Sequence, residues 1–364
     1  MKRLGISIYP EHGTLEQQLK YIKMASENGF KRIFTCLISV GDNIEESIND
    51  FKVLTSAAGE YGMEVIADVS PDVFEALDID YRDMSLFKEI GLTGIRLDLG
   101  FSGVEESTMT HSSEGIKVEL NMSQGTRYLD NILSYQPQKS QLIGCHNFYP
   151  HRYTGLSVDH FIKCSEQFKK EGIRTAAFVS SNHAQFGPWP VSEGLPTLEH
   201  HRSLPVLAQA KELFNTGLID DVIIGNAYAS EEELKQLGAM NKECLTLNVK
   251  LHESITELMK TIVLNEPHFN RGDVSEYMIR STQSRVKYKN EAFPCINAVA
   301  IKKGDVLIES SLYSRYAGEL QIALKDMDNS GKTNVVGRIV DEELHLIDAV
   351  LPWQHFKFEQ AIYA

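Results

Sequence analysis

The chain has 364 residues, long for one domain and short for three, so its length fits one large domain with at most one smaller companion. Hydrophobic residues make up 42% and charged residues 24%, ordinary globular values that exclude a disordered, collagenous or coiled-coil chain. With 36 Lys and Arg against 50 Asp and Glu, the formal charge of −14 argues against a broad contact surface for nucleic acid or anionic lipid and leaves room only for a local basic pocket.

At the N-terminus a short apolar run is interrupted by Pro10 and Glu11, too early for a signal-peptide core. No run approaches the roughly 18 apolar residues of a membrane span, so the expected location is the cytoplasm. Residues 4–9 read as a buried strand. Thr14 is the expected N-cap of a helix whose Leu15, Leu19, Ile22 and Ala25 recur near helical spacing until Gly29 ends it. Strand-like runs follow at 32–37, 64–69, 94–99, 117–121, 141–147, 174–179 and 221–225. Helical patterns occupy 43–61, 126–135, 158–172, 203–215 and 230–241, with weaker signals between the third and fourth and between the fourth and fifth strands.

Eight strands, each followed by a helix-length segment within about 240 residues, predict a (β/α)8 barrel, because a parallel strand needs a crossover of a dozen or more residues. A doubly wound open sheet is the alternative, but no G-x-G-x-x-G follows the first strand. Beyond Cys244 the texture changes: INAVAIKKGDVLIESSLY and NVVGRIVDEELHLIDAVL bunch β-branched residues around Gly turns, as in a β-rich domain. The predicted division is a catalytic barrel over 1–243 and a small β-domain over 244–364.

In such a barrel chemistry sits where strands end, so the residues closing each run are the candidates. These are Tyr9 and Glu11, Asp68, Arg96 and Asp98, Glu119 and Asn121, His146, Asn147 and Tyr149, and Asn226. Carboxylates, amides and aromatics together suit a hydroxyl-rich ligand, and two carboxyls can divide the acid and base roles of glycoside hydrolysis. Each residue also has a structural reading: Asp68 and Asp98 as helix caps or partners of Arg96, Glu119 as an interior ion pair, His146 as a satisfied core residue. Glu11 and Asp98 are the expected catalytic pair, with Glu119 in reserve. Asp98 lies between Leu97 and Leu99, an apolar setting expected to raise its pKa and favour the acid role.

The long loop after the seventh strand offers Trp189 as a sugar platform. His200 and His201 beside Glu199 lack H-E-x-x-H spacing, and adjacent His side chains are expected to point apart, so no metal or other cofactor is expected. The five scattered cysteines contain no C-x-x-C pair, which points to reduced thiols. In the second domain Arg280, Ser281, Thr282, Arg285 and Arg315 gather guanidinium and hydroxyl donors suited to phosphate, with ordinary surface ion pairs as the structural alternative. The nearby Arg271-Gly-Asp reads as a turn, and no Walker loop is present.

Six stretches, GISIYPEHGTLEQQLKYI, IRLDLGFSG, CHNFYPHRYTGLS, SEGLPTLEHHR, IRSTQSR and LYSRYAGELQI, resemble the 6-phospho-N-acetylmuramidase family over essentially the whole chain. The resemblance implies a barrel followed by a cyclophilin-like β-domain, and hydrolysis of the phosphorylated amino-sugar disaccharide 6-phospho-N-acetylmuramyl-N-acetylglucosamine in cytoplasmic cell-wall recycling. Glu11, Asp98, His146, Asn147, Tyr149, Glu193 and Glu199 stand inside the matching motifs. The eighth strand ends in Gly225-Asn226 where some relatives are expected to carry an acid. A cyclophilin-like fold does not by itself bring isomerase activity. The competing classes are a lyase or isomerase on sugar phosphates, for which no strand end offers a Schiff-base Lys, and a non-catalytic saccharide-binding or prolyl-isomerase module.

Overall fold

A computed structural model describes residues 1–37, 44–76, 79–188 and 193–361, so Asn43 and Trp189 lie outside the described residues. The chain divides into two compact units, Met1–Met240 and Asn241–Ala364. Among the described residues no helix is long and apolar enough to cross a membrane.

The first unit is a closed parallel barrel of β1 (Arg3–Ser7), β2 (Arg32–Cys36), β3 (Glu64–Val69), β4 (Gly94–Leu97), β5 (Lys117–Asn121), β6 (Leu142–Cys145), β7 (Arg174–Val179) and β8 (Asp221–Ile224). Closure is made by β8 on β1, in register from Arg3 opposite Asp221 to Ile6 opposite Ile224. The surrounding helices are α1 (Leu15–Glu27), α2 (Ile44–Glu60), α3 (Pro71–Ala76), α4 (Ser85–Glu89), α5 (Val104–Met109), α6 (Tyr128–Ser134), α7 (Val158–Lys170), α8 (Val206–Asn215) and α9 (Glu231–Ala239). Thr14 and Gln17 form a reciprocal capping box at the start of α1, and Gly29, at φ +81°, follows its end in the left-handed conformation that favours glycine.

Strand parity sorts the barrel into layers. Leu4, Ile6, Ile33, Val65, Ala67, Ile95, Leu97, Val118, Leu120, Val222 and Ile224 pack outward against helices in one buried cluster. Residues of the opposite parity turn into the lumen. There Tyr9, Phe34, Cys145, Phe178 and Ile223 form a small apolar cluster of their own. Arg32, Asp68, Arg96, Asp98, Glu119, Asn121 and Asp221 share that inward parity. The expected runs at 4–9 and 141–147 are longer than the strands, because Tyr9, His146 and Asn147 already belong to the loops above the barrel.

The second unit is a mixed sheet of β9 (Leu245–Leu251), β10 (His268–Phe269), β11 (Met278–Ser281), β12 (Asp305–Glu309), β13 (Leu320–Ala323), β14 (Thr333–Ile339) and β15 (His355–Gln360). Its strand order is β10-β15-β9-β14-β12-β13-β11, with β15 parallel to β9. Helix α10 (Glu257–Asn265) covers one face through Met259, Ile262 and Val263, and a short α11 (Gln283–Lys287) follows β11. Of the apolar run at 296–301, only Ile301 makes a bridge, to Met327. The second run stops being a strand after Ile339, where Glu343 turns back to accept Asn248 N–H at 2.7 Å and Nδ2–H at 2.8 Å.

Candidate active site at the barrel mouth

Two arginine-carboxylate clusters lie inside the barrel. In the lower one Arg3 Nε, Arg32 Nη1 and Arg174 Nε converge on Asp221 at 2.9, 3.1 and 3.1 Å. Arg32 also pairs with Glu119, and Arg32, Glu119 and Asp221 are all enclosed. Burial pushes the Asp221 carboxyl upward, but hydrogen bonds from Arg3 and Arg174 and the charge of Arg32 outweigh it and hold the group well below the usual range. Glu119, expected as a reserve catalytic residue, is therefore a structural counter-ion: at 0% exposure it has no surface to offer a ligand.

The upper cluster stands at the mouth. Adjacent strands place Asp68 opposite Arg96 in register. Arg96 Nη1 donates to Asp68 at 2.9 Å, while Nη2 reaches Asp98 at 3.2 Å and also Asn147 Oδ1. Asn121 Nδ2 donates to the same Asp98 oxygen at 3.2 Å. Asp68 is only 8% exposed, and burial, reinforced by the neighbouring charge of Asp98 and opposed by Arg96, pushes its carboxyl up to about 6. The apolar setting expected for Asp98 is absent. Leu97 points outward into the helix layer, Leu99 is 62% exposed, and the Asp98 side chain, 42% exposed, faces Arg96 and Asn121. Neighbours along a strand face opposite ways, so they do not form each other's environment.

Glu11 is exposed just after β1. Beside it, His12 stacks on Phe186 of the β7 loop at 5.0 Å and lies 3.0 Å from Gly187 O. Tyr9, expected to touch ligand, is fully buried and donates its hydroxyl to Gly225 O. His146 is enclosed as well: Nδ1 lies 3.1 Å from Ser123 Oγ, Nε2 lies 2.9 Å from Ser165 Oγ, and the ring lies 4.6 Å from that of Phe161. Burial pushes its pKa down to about 3, so the imidazole is neutral. Ser123 Oγ also accepts Asn147 N–H at 2.8 Å, so His146, expected to bind substrate, is fully buried and linked to Asn147 through Ser123. Asn147 and Tyr149 remain half-buried at the mouth.

Loops after β6, β7 and β8 line an open cavity of about 920 Å³ with residues that include Tyr153, Asn182, Phe186, Glu193, Glu199 and Asn226, while Asp68, Arg96 and Asp98 are not among its lining residues. That volume lies within the usual range for small-ligand sites. Glu199 is a brace: its oxygens accept Tyr153 N–H and Gly155 N–H at 2.8 Å each and Arg202 Nη2 at 2.6 Å. The Arg202 hydrogen bond leads the effects that hold its carboxyl at about 2. A Cβ on Gly155 would sit 2.7 Å from that carboxylate, which explains the glycine. Glu193 accepts Arg152 N–H at 2.9 Å, and Arg202 Nη1 donates to Tyr149 O at 3.0 Å and Glu193 O at 2.9 Å. Arg202, which sequence reasoning did not single out, thus ties the β6 and β7 loops together. Asn226, where an acid had been expected in relatives, clasps Ser181 through both amide atoms at 2.8 Å. His200 and His201 do not diverge: both Nε2 atoms lie 2.8 Å from Glu212 Oε2.

In the second unit Arg280, Arg285 and Arg315 line one cavity, joined by Arg271 and Lys289. Ser281 does not take part: it is fully buried against His268 Nδ1 at 3.0 Å. Thr282 is half-buried before α11, makes no side-chain cap bond, and is not among the cavity's lining residues.

A parallel barrel that concentrates polar and ionisable groups at the ends of its strands has the build of an enzyme. The chain belongs to the 6-phospho-N-acetylmuramidase family, a family of glycosidases, whose N-terminal profile matches residues 4–239 and whose C-terminal profile matches 245–359. A solved structure described as an uncharacterized B. cereus protein shares 51% identity over 99% of both chains, with a TM-score of 0.92. A conserved protein of unknown function from Enterococcus faecalis shares 27% identity over 99% of this chain and 97% of its own, with a TM-score of 0.74. No curated protein matches significantly.

Proposed function

We propose that this protein hydrolyses the glycosidic bond of 6-phospho-N-acetylmuramyl-N-acetylglucosamine, releasing N-acetylglucosamine and the 6-phosphosugar during cell-wall recycling in the cytoplasm. The barrel, residues 1–243, supplies the catalysis, and residues 244–364 form a second, accessory domain. The observation that carries the reading is the pair of carboxyls, Asp68 and Asp98, hydrogen-bonded to the two terminal nitrogens of one guanidinium at the barrel mouth.

Asp68, raised to about 6, keeps its proton to a higher pH than an ordinary aspartate and can give it to the glycosidic oxygen as the C–O bond breaks. Asp98, open to solvent on one side, supports the positive charge that develops on the sugar ring or orients the water whose oxygen bonds to the anomeric carbon and accepts the proton that water gives up. Glu11, exposed just after β1, is the alternative partner for Asp98. Two carboxyls suffice for this reaction, so no metal or organic cofactor is required.

The test is release of N-acetylglucosamine by the purified chain, followed by the same assay on Asp68→Asn, Asp98→Asn and Glu11→Gln. Loss in Asp68→Asn and Asp98→Asn with folding intact supports the pair. Full activity in Asp68→Asn together with loss in Glu11→Gln moves the acid role to Glu11. No release from the phosphorylated disaccharide by wild type overturns the reading.

A further inference from the structure

In a chain with a formal charge of −14, one concave patch of the C-terminal unit reverses the sign. Arg271, Arg280, Arg285, Lys289 and Arg315 line a cavity of about 580 Å³ with Tyr316 and Asp273. Against these five cations stand two carboxylates. Asp273 pairs with Arg271, and the fully buried Glu319 takes Arg280 Nε and Arg285 Nη1 at 2.8 Å each.

Glu319 therefore anchors two guanidiniums from beneath and leaves the terminal nitrogens of Arg280 and Nη2 of Arg285 without a protein partner among the described residues. Tyr316 adds a ring 5.7 Å from the Arg280 guanidinium carbon and 5.2 Å from that of Arg285. Lys289 and Arg315 are exposed and make no ion pair among the described residues. Crowding five cations in one hollow is unfavourable until an anion enters. Forked, pre-oriented guanidiniums match the oxygens of a phosphate.

We propose that this hollow is a binding site for a phosphate monoester borne on a sugar, built entirely within the C-terminal unit. The phosphate part stands on the hollow alone; the sugar part rests on the proposed glycosidase reading.

Calorimetric titration of the full chain with N-acetylglucosamine 6-phosphate and with N-acetylglucosamine tests the site. Only the phosphorylated sugar should bind at this site, more weakly as salt is raised. The double variant Lys289→Ala/Arg315→Ala removes exposed side chains that take no part in the fold and should weaken Kd by roughly tenfold or more. Arg285→Lys, which keeps a charge beside Glu319 but loses the fork, should weaken it too. Weaker binding of the phosphosugar in both variants supports the site. Equal binding of the two sugars, or an unchanged Kd in both variants, overturns it. A chain that lacks hydrolytic activity yet binds phosphosugar through these residues would sink the proposed reaction and leave the site standing.

Discussion

Asp221 and Asp68 are both aspartates facing the barrel lumen and bonded to arginine, yet their carboxyls shift in opposite directions. Asp221 has three arginines about it, Arg3, Arg32 and Arg174, and is held well below the usual range in spite of its burial. Among the described residues Asp68 has one arginine partner, Arg96, which it shares with Asp98, and burial prevails, raising it to about 6. Desolvation acts on both; the number of cations per carboxylate decides the sign. Asp221 is thus held as an anion, while the Asp68 carboxyl is pushed toward taking up a proton at higher pH than an ordinary aspartate.

The largest effect expected from this contrast is on turnover. Asp68→Asn and Asp98→Asn should each lower kcat by roughly 10²–10⁴ while thermal unfolding changes little. Near-normal kcat in both would erase the distinction between the clusters. Asp221→Asn should do the reverse, costing about 3–5 kcal/mol of stability in a denaturant titration, because three buried or half-buried arginines lose their common counter-ion. Activity per folded molecule should then be kept.

The pH profile sharpens the same comparison. With Asp68 as proton donor, kcat should fall as pH rises through about 6, by about tenfold per unit on the limb, and Asp68→Asn should abolish that limb. In stability the sign agrees: a carboxyl raised above its unfolded value favours the fold fully at low pH, and that contribution is lost as pH rises through about 6. A smaller change is expected at Glu199, where the Gln variant should raise KM by roughly fivefold or less and leave kcat nearly intact, since the brace shapes the cavity without entering the reaction. Its depressed carboxyl contributes stability above the unfolded value, lost as pH falls toward about 2. Dialysis against a strong chelator should leave kcat unchanged; loss restored by a divalent ion would break the two-carboxyl account.

The barrel was legible because each long helix repeats its apolar face often enough to show a period, and because short apolar runs between them mark enclosed strands. Helices α3, α4 and α5 were the faint ones: five or six residues make less than two turns, too few for periodicity to register. At the site, Arg96, Asp98 and Asn147 were visible as strand-end residues, but the roles of Asp68 and Glu119 depend on cross-strand partners that no one-dimensional spacing reveals. The misreading of Asp98 came from treating sequence neighbours as spatial ones. Arg280, Arg285 and Arg315 could be picked out since arginine density is conspicuous in an acidic chain, whereas Lys289 joins them only through the fold.

The Arg202 and Glu199 struts have a consequence for engineering. Glu199 meets its amide partners at Tyr153 and Gly155, and Arg202 meets the Tyr149 carbonyl, so side chains of the β7 loop hold backbone groups of the β6 loop, while the bond from Arg202 to Glu193 O ties the β7 loop to itself. Grafting the β6 loop alone from a relative would leave Glu199 and Arg202 paired with each other while changing the backbone groups of residues 149, 153 and 155 that they hold. The transplantable module for altering ligand preference is the stretch from about residue 147 to residue 202, exchanged as one piece.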